Sequence, residues 1–450
     1  MAIDKLYAFA HLGDTGFVPA GVLTLTQGPR DVEASSFIYG TRYLDRPGCV
    51  EIDPVSLAID GNVKGVELLP ANQLRQFGGI RDAAPDAWGR RVIESRLKAP
   101  ANSLPESRYL LEAGSERVGA LDMRKQPDST SSDGVARVRD LQYMLEAAER
   151  VEAGEDVPAG LRDYLGSGAT AGGARPKSTV RDSDGLLYLA KFPSRSDTFD
   201  VAVVECATLK LARLCGLTVP AVQVRDIGGR NALLIRRFDR YWVGAEPTPA
   251  ATALHDTVPG PGLQERRLPF VSGLTMVACD EYDSPTKSYV DLAHAVRQHG
   301  AAACIRTDST ELFGRMVFNI FVSNDDDHLR NHGFVRDPRV GGWRLSPLYD
   351  VVPRASHAFE RTLHLEVGER GKQATLDNAM SAHAGFIPER PDAVAVIRNI
   401  WGVMREWKSH FETFGVPGRL IDTMAPAMRN LQDIALEPRL MKEIRQSSVA

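Results

Sequence analysis

The sequence predicts an α+β chain in three successive parts: a small α+β segment over residues 1–140, a sheet-rich lobe with one helix over 141–243, and a helical lobe over 244–450. Three observations predict this order. Short apolar runs broken by turn residues fill the chain up to about residue 70, as small strands do. A Gly-rich stretch from Gly166 leads into two further apolar runs separated by Asp182-Ser-Asp-Gly185. Beyond about residue 285, apolar residues recur mostly at helical spacing. The 450 residues are 43% hydrophobic and 25% charged, which excludes a disordered or collagen-like chain. A net charge of −4 gives no support to a dedicated nucleic-acid or membrane-surface binder.

The first apolar runs are Leu6–Ala10 and Phe17–Leu25, joined through Gly13-Asp-Thr-Gly16. Pro85 suits the first turn of a helix that runs to about Leu97. Residues 125–135 are small and polar and read as a loop, followed by a polar helix near 138–152. Ser178–Val180 and Leu186–Phe192 read as a hairpin. The helix Phe199–Cys215 follows, with Gly216 past its end and Pro220 barring continuation. Ala221–Val224 and Asn231–Arg236 read as strands, and 244–268 as a long Pro/Gly/Thr-rich loop. Helices are expected at 288–299, 309–323, 392–413 and 418–434.

Five cysteines, Cys49, Cys206, Cys215, Cys279 and Cys304, are odd in number and widely spaced, with no Cys-x-x-Cys. That argues against a disulfide framework or zinc cluster and points to a reducing, cytoplasmic setting. The N-terminus carries no apolar leader run, and no stretch of 18 apolar residues predicts a membrane span. Only 11 residues are Lys against 43 Arg, so a Lys in a special place stands out.

The strongest chemical pattern is Ser323-Asn-Asp-Asp-Asp-His-Leu-Arg-Asn331, after an amphipathic helix. Asp326 and Asn331 stand five apart, and Asp350 follows nineteen residues later behind a strand-like span. Phosphoryl transfer needs a carboxylate to accept the hydroxyl proton, and a carboxamide and a second carboxylate to hold Mg²⁺. Asp-(x)4-Asn followed by Asp is the arrangement protein kinases use. The bland alternative is an acidic loop capping a helix. His328 and His332 lack the Glu a zinc protease requires, since Leu329 stands in its place; His328 is expected to buttress the loop by hydrogen bonding. The Gly-rich segment Gly166–Lys177 lets backbone N–H groups approach phosphate oxygens, though it matches neither Walker A nor Gly-x-Gly-x-x-Gly. Lys191 ends an apolar strand, and Glu205 lies fourteen residues on beside an apolar helical stripe. A strand Lys paired with a helix Glu is how kinases position the phosphates. Gly-rich loop, Lys, Glu, Asp/Asn and Asp occur in that order.

These residues resemble the HipA family of serine/threonine kinases, toxin members of bacterial toxin–antitoxin pairs. The resemblance rests on Gly172–Lys177, Leu234-Ile-Arg-Arg-Phe-Asp-Arg240, Phe318–Phe334 and Leu345-Ser-Pro-Leu-Tyr-Asp350. Upstream it also rests on Gly79–Arg90 and Arg117–Leu121. It implies a protein-kinase-like bilobed fold with an additional small N-terminal subdomain. It implies ATP and Mg²⁺, with Asp326 as base assisted by His328, and Asn331 and Asp350 as metal ligands. Gly172, Gly173, Ala174, Arg175, Pro176, Lys177, Lys191, Glu205, Arg236, Phe238 and Tyr349 would form the nucleotide site. Thr170 or Ser167 would be autophosphorylated, adding about −1.5 to −2 charge beside the ATP phosphates. The implied partners are a protein substrate, such as an aminoacyl-tRNA synthetase, and a HipB-type helix-turn-helix antitoxin through which DNA is met indirectly. A catalytically weak binding partner of the antitoxin and a small-molecule kinase are the alternative readings.

Overall fold

The computed structural model describes residues 2–28, 31–130, 136–162, 164, 173–245 and 252–446. Ser167, Thr170 and Gly172 lie outside the described residues. The chain forms two compact units, Met1–Asp197 with Gln223–Val271, and Thr198–Val222 with Ser272–Ala450.

The first unit opens with strands β1 (Ala2–Leu12), β2 (Gly16–Gln27) and β3 (Val32–Tyr39), joined by β4 (Leu121–Arg124) in the spatial order β3-β2-β1-β4. Leu6 pairs with Leu23 and Leu23 with Phe37, so the alternating residues of three strands bury one face. Helix α1 (Ala87–Leu97) is capped by Asp86, whose Oδ1 accepts from Gly89 N–H at 3.2 Å; Pro85 precedes the cap rather than occupying the first turn.

A second sheet follows: β5 (Ala136–Arg137), β6 (Lys177–Arg181), β7 (Leu187–Lys191), β8 (Val222–Ile227) and β9 (Arg230–Arg236), in the order β5-β6-β7-β9-β8. Helix α2 (Leu141–Ala153) ends at Gly154 in the left-handed region, φ 71°. Met144, Leu145 and Ala148 of α2 share one core with Val180, Tyr188, Ala190 and Leu234 of the sheet and with Trp88, Val92 and Ile93 of α1. The packing is therefore continuous across residue 140.

The region expected to be one long loop, 244–268, contains strand β11 (Gln264–Arg267), which pairs antiparallel with β10 (Arg240–Val243). Its Gln-Glu-Arg-Arg sequence lacks the β-branched and aromatic residues that announce a strand. Tertiary ion pairs compensate, among them Arg181–Glu265 at 2.6 Å and Arg267–Glu116 at 2.9 Å.

The second unit is mainly helical: α3 (Val201–Leu214), α4 (Tyr289–His299), α5 (Ile305–Val322) and α6 (Arg390–Met404). α5 is buried almost all round from Leu312 to Val322 and packs against α4 and α6, which makes it the unit's central element. The helix expected at 392–413 is two, α6 and Trp407–Thr413. The one expected at 418–434 is also two, Gly418–Met424 and Leu431–Ile434, with Pro426 between them unable to donate a helical hydrogen bond. After α5 comes a hairpin of Gly333–Asp337 and Gly342–Leu345.

Candidate active site

In the second unit α5 stops at Ser323, left-handed with φ 51°. Its hydroxyl donates to Ala427 O at 2.7 Å and accepts from Arg361 Nη1 at 2.6 Å. The chain then turns through Asn324–Asn331 into the hairpin. Within this loop the three aspartates have different fates. The Asp326 side chain is 65% exposed. Asp325 pairs with Arg354 at 2.9 Å; burial raises its carboxyl and Arg354 opposes the rise. Asp327 is 1% exposed. Its Oδ2 accepts from Tyr289 Oη of α4 at 2.6 Å, and its Oδ1 from His364 N–H at 2.6 Å. Burial pushes the Asp327 carboxyl up to about 7, against those two donors.

Tyr289 Oη in turn accepts from Asn319 Nδ2 at 2.9 Å, and Asn319 Oδ1 accepts from Asn324 Nδ2 at 3.1 Å. His332 lies edge-on to the Tyr289 ring, with Nε2 3.3 Å from Asp327 O. Burial, with Arg315, lowers its pKa to about 3, so it is neutral at physiological pH. Asp327, Tyr289, Asn319, Asn324 and His332 thus form a buried polar floor beneath an exposed carboxylate. The sequence names His328 as the buttress. Its Nε2 stands 3.7 Å from Asp326 Oδ1, outside hydrogen-bonding range, and its ring packs edge-on to His364. The support comes instead from Asp327 and Tyr289, which no sequence spacing marks.

Asn331 Nδ2 donates to Asp326 O at 2.7 Å, which closes the loop through the amide nitrogen and not the acceptor oxygen. Tyr349 Oη donates to Arg330 O at 2.8 Å, tying the residue before Asp350 to the residue before Asn331. Asp350 has φ 58°, a costly conformation for a non-glycine residue and a common one where a side chain must be aimed. Asn331 and Asp350 offer the hard oxygen donors Mg²⁺ prefers. Among the described residues no three His, Cys, Asp or Glu are grouped to hold a metal, so an ion here would need a ligand's phosphates to complete its shell. Glu205 lies on α3 of this unit, buried.

In the first unit Lys177 and Lys191 are direct cross-strand partners on β6 and β7, which places both side chains on one face of the sheet. They are 3% and 8% exposed. The opposite face, with Ala190 and Leu234, packs on α2. Arg236 stands opposite Tyr188, on that α2 side, and its guanidinium donates to Thr257 O. Phe238 lies in the turn after β9, its ring 6.1 Å from that of Phe270. Gly173 has φ 103°, and Arg175 pairs with Asp197 at 2.5 Å. The φ of residue 173 is what favours glycine there; the atom a Cβ would meet, Lys177 Nζ at 2.2 Å, is the end of a flexible side chain.

The model of the HipA-like C-terminal domain matches residues 169–407, more than half the chain and including the acidic loop and both lysines. The chain belongs to the HipA-like family. Two curated Sinorhizobium fredii proteins, whose names class them as candidate kinases, are similar to it. Y4mE is 26% identical over 193 residues, 42% of this chain and 40% of that protein. Y4dM is 22% identical over 273 residues, 56% of this chain and 60% of that protein. The match thus spans about half the length of these curated relatives. HipA of the Shewanella oneidensis MR-1 toxin–antitoxin system, solved with HipB and its operator DNA, superposes with a TM-score of 0.62 at 15% identity. The superposition covers 98% of this chain and 95% of that one. At that identity the likeness is one of fold, and the HipA-like fold is the α+β, kinase-like one the sequence predicts. No helix among the described residues is long and apolar enough to cross a membrane.

Proposed function

We propose that this HipA-like chain is an ATP- and Mg²⁺-dependent serine/threonine protein kinase. The observation that carries the reading is the acidic loop, where Asn331 hydrogen-bonds the Asp326 carbonyl and leaves the Asp326 carboxylate exposed above a buried polar floor. Asp326 accepts the proton of the substrate hydroxyl as its oxygen bonds to the γ-phosphorus and the bond to the ADP oxygen breaks. Asn331 and Asp350 would hold Mg²⁺, which when bound neutralises charge on the phosphates. Lys177 and Lys191, cross-strand partners on one face of the sheet, would meet the phosphates. Tyr349, which donates to Arg330 O, would steady the loop.

The solved Shewanella HipA is bound to HipB and operator DNA, and on that likeness of fold the chain would be a toxin partnered by a HipB-like helix-turn-helix antitoxin, meeting DNA through it. Autophosphorylation at Thr170 or Ser167 and a cytoplasmic protein target belong to the same reading.

Incubation with labelled ATP, Mg²⁺ and lysate tests it. Wild type transfers label to protein and to itself. Asp326→Asn binds nucleotide as before but transfers none. Retained autophosphorylation in that variant would sink the assignment of Asp326.

A further inference from the structure

The N-terminal motifs Gly79–Arg90 and Arg117–Leu121 have no place in the phosphoryl-transfer chemistry, yet they meet the sheet at two points. At the first, Trp88 Nε1 donates to Lys177 O at 2.8 Å and Trp88 N–H to Gly173 O at 3.3 Å. Trp88 therefore holds both ends of the five-residue span that leaves the Gly-rich segment. Asp86 Oδ2 lies 3.8 Å from the Cβ position of Gly173, on the side where the Lys177 ammonium sits. Lys177 is thereby folded under Gly173 and buried.

At the second point, the Arg237 guanidinium donates to Glu116 O at 2.9 Å and Arg117 O at 3.0 Å, while gripping Asp239 at 2.6 and 2.8 Å. Asp239 Oδ2 accepts Gly119 N–H at 2.7 Å. Gly119 has φ 82°, and a Cβ there would come within 3.1 Å of Phe270 N. Residues 237–239 form the short turn that follows β9. The N-terminal segment thus grips the exit of the Gly-rich stretch with one motif and the turn after β9 with the other.

We infer that Trp88 and the Glu116–Gly119 segment are positioning elements for nucleotide, bracketing the two backbone segments between which it binds, so that the N-terminal segment is a working part of the nucleotide site. This rests on the kinase reading above. The first bracket holds carbonyls of the Gly-rich exit, and the second joins the Arg237 and Asp239 side chains to the backbone of Glu116–Gly119; loosening either frees its segment to wander without unfolding the sheet.

Binding of a fluorescent ATP analogue with Mg²⁺ to the full chain tests the inference. Trp88→Phe keeps the ring and removes the indole donor. Arg237→Lys keeps the charge and removes the fork that spans two carbonyls. Each is expected to weaken nucleotide binding about three- to tenfold, with KM for ATP raised and KM for the protein substrate unmoved. Leu23→Ala, in the core of the N-terminal sheet away from both brackets, serves as the control. It lowers the unfolding midpoint and leaves the nucleotide Kd where it was. Unchanged Kd in both bracket variants overturns the inference, as does an equal loss in Leu23→Ala, which would make the effect one of general stability. If wild type itself binds no nucleotide, the kinase reading fails instead.

Discussion

Asp326 and Asp327 are neighbours in sequence and opposites in environment, one 65% exposed and one 1% exposed. The five-residue spacing to Asn331 made Asp326 readable, because the loop's geometry is local. Nothing in the sequence distinguishes Asp327, whose partner Tyr289 lies 38 residues upstream. That pairing carries a prediction. Tyr289→Phe leaves the Asp327 carboxyl buried with one donor fewer and deprives Asn319 of an acceptor. It should cost about 1–3 kcal/mol of stability, read from urea unfolding. It should also lower transfer more than nucleotide binding, because the Asp326 loop loses its floor. A cost below a few tenths of a kcal/mol would show that the floor is not tight. Lys177 shows the converse. Its rarity marked it out, but its backbone carbonyl and its burial under Gly173 give it a structural duty that composition does not reveal.

Among the elements, those with strong local signals stand where the sequence puts them. The helix expected at 288–299 is α4, fixed by a capping box in which Ser288 Oγ accepts from Asp291 N–H at 3.0 Å and Asp291 Oδ2 accepts from Ser288 N–H at 2.8 Å. Ser288→Ala should cost about 0.5–2 kcal/mol, visible as a lowered thermal midpoint. Because α4 carries Tyr289, the loss should add less than fully to that of Tyr289→Phe, a non-additivity a double-mutant cycle measures. The elements that eluded the sequence lack such signals. β11 is Gln-Glu-Arg-Arg, a strand made by its ion pairs. The break between α6 and Trp407–Thr413 contains neither Pro nor Gly, and nothing in the structure explains why it falls there.

At the scale of the whole molecule, the chain builds its first unit from two separated stretches, 1–197 and 223–271, and a buried ion cluster ties them. Burial works to raise the Glu116 carboxyl, but Arg240, Arg267 and Arg237 outweigh it and hold it at about 2. Asp239 is held lower still by Arg237 and Arg240 against the same burial. Burial, helped by Arg267 and Arg240, lowers His11 to about 4. All three groups have folded-state pKa values below their unfolded ones. Their contribution is therefore complete above about pH 6.5 for His11 and above about 4.5 for the carboxylates, and is lost as pH falls. These groups lower the urea midpoint between pH 6.5 and 4 and again toward pH 2, while Asp327, raised to about 7, opposes the first fall, so the His11 part is read as the difference between wild type and His11→Asn. An identical pH dependence in the two would contradict the buried, neutral state of His11.

The sequence by itself determined the α+β class and held the Asp326, Asn331 and Asp350 pattern. Periodicity, caps and a loop of a few residues are local properties, written where they act. Only the tertiary structure decided which aspartate is exposed, which residue supports it, and what the N-terminal motifs hold. Those are hydrogen bonds across 38, 89 and 120 residues, from Tyr289 to Asp327, Trp88 to Lys177 and Gly119 to Asp239. Burial removes water as a competing partner and makes each such bond obligatory. The partner is then chosen by packing in three dimensions, and a contact between distant residues leaves no period in the chain that makes it.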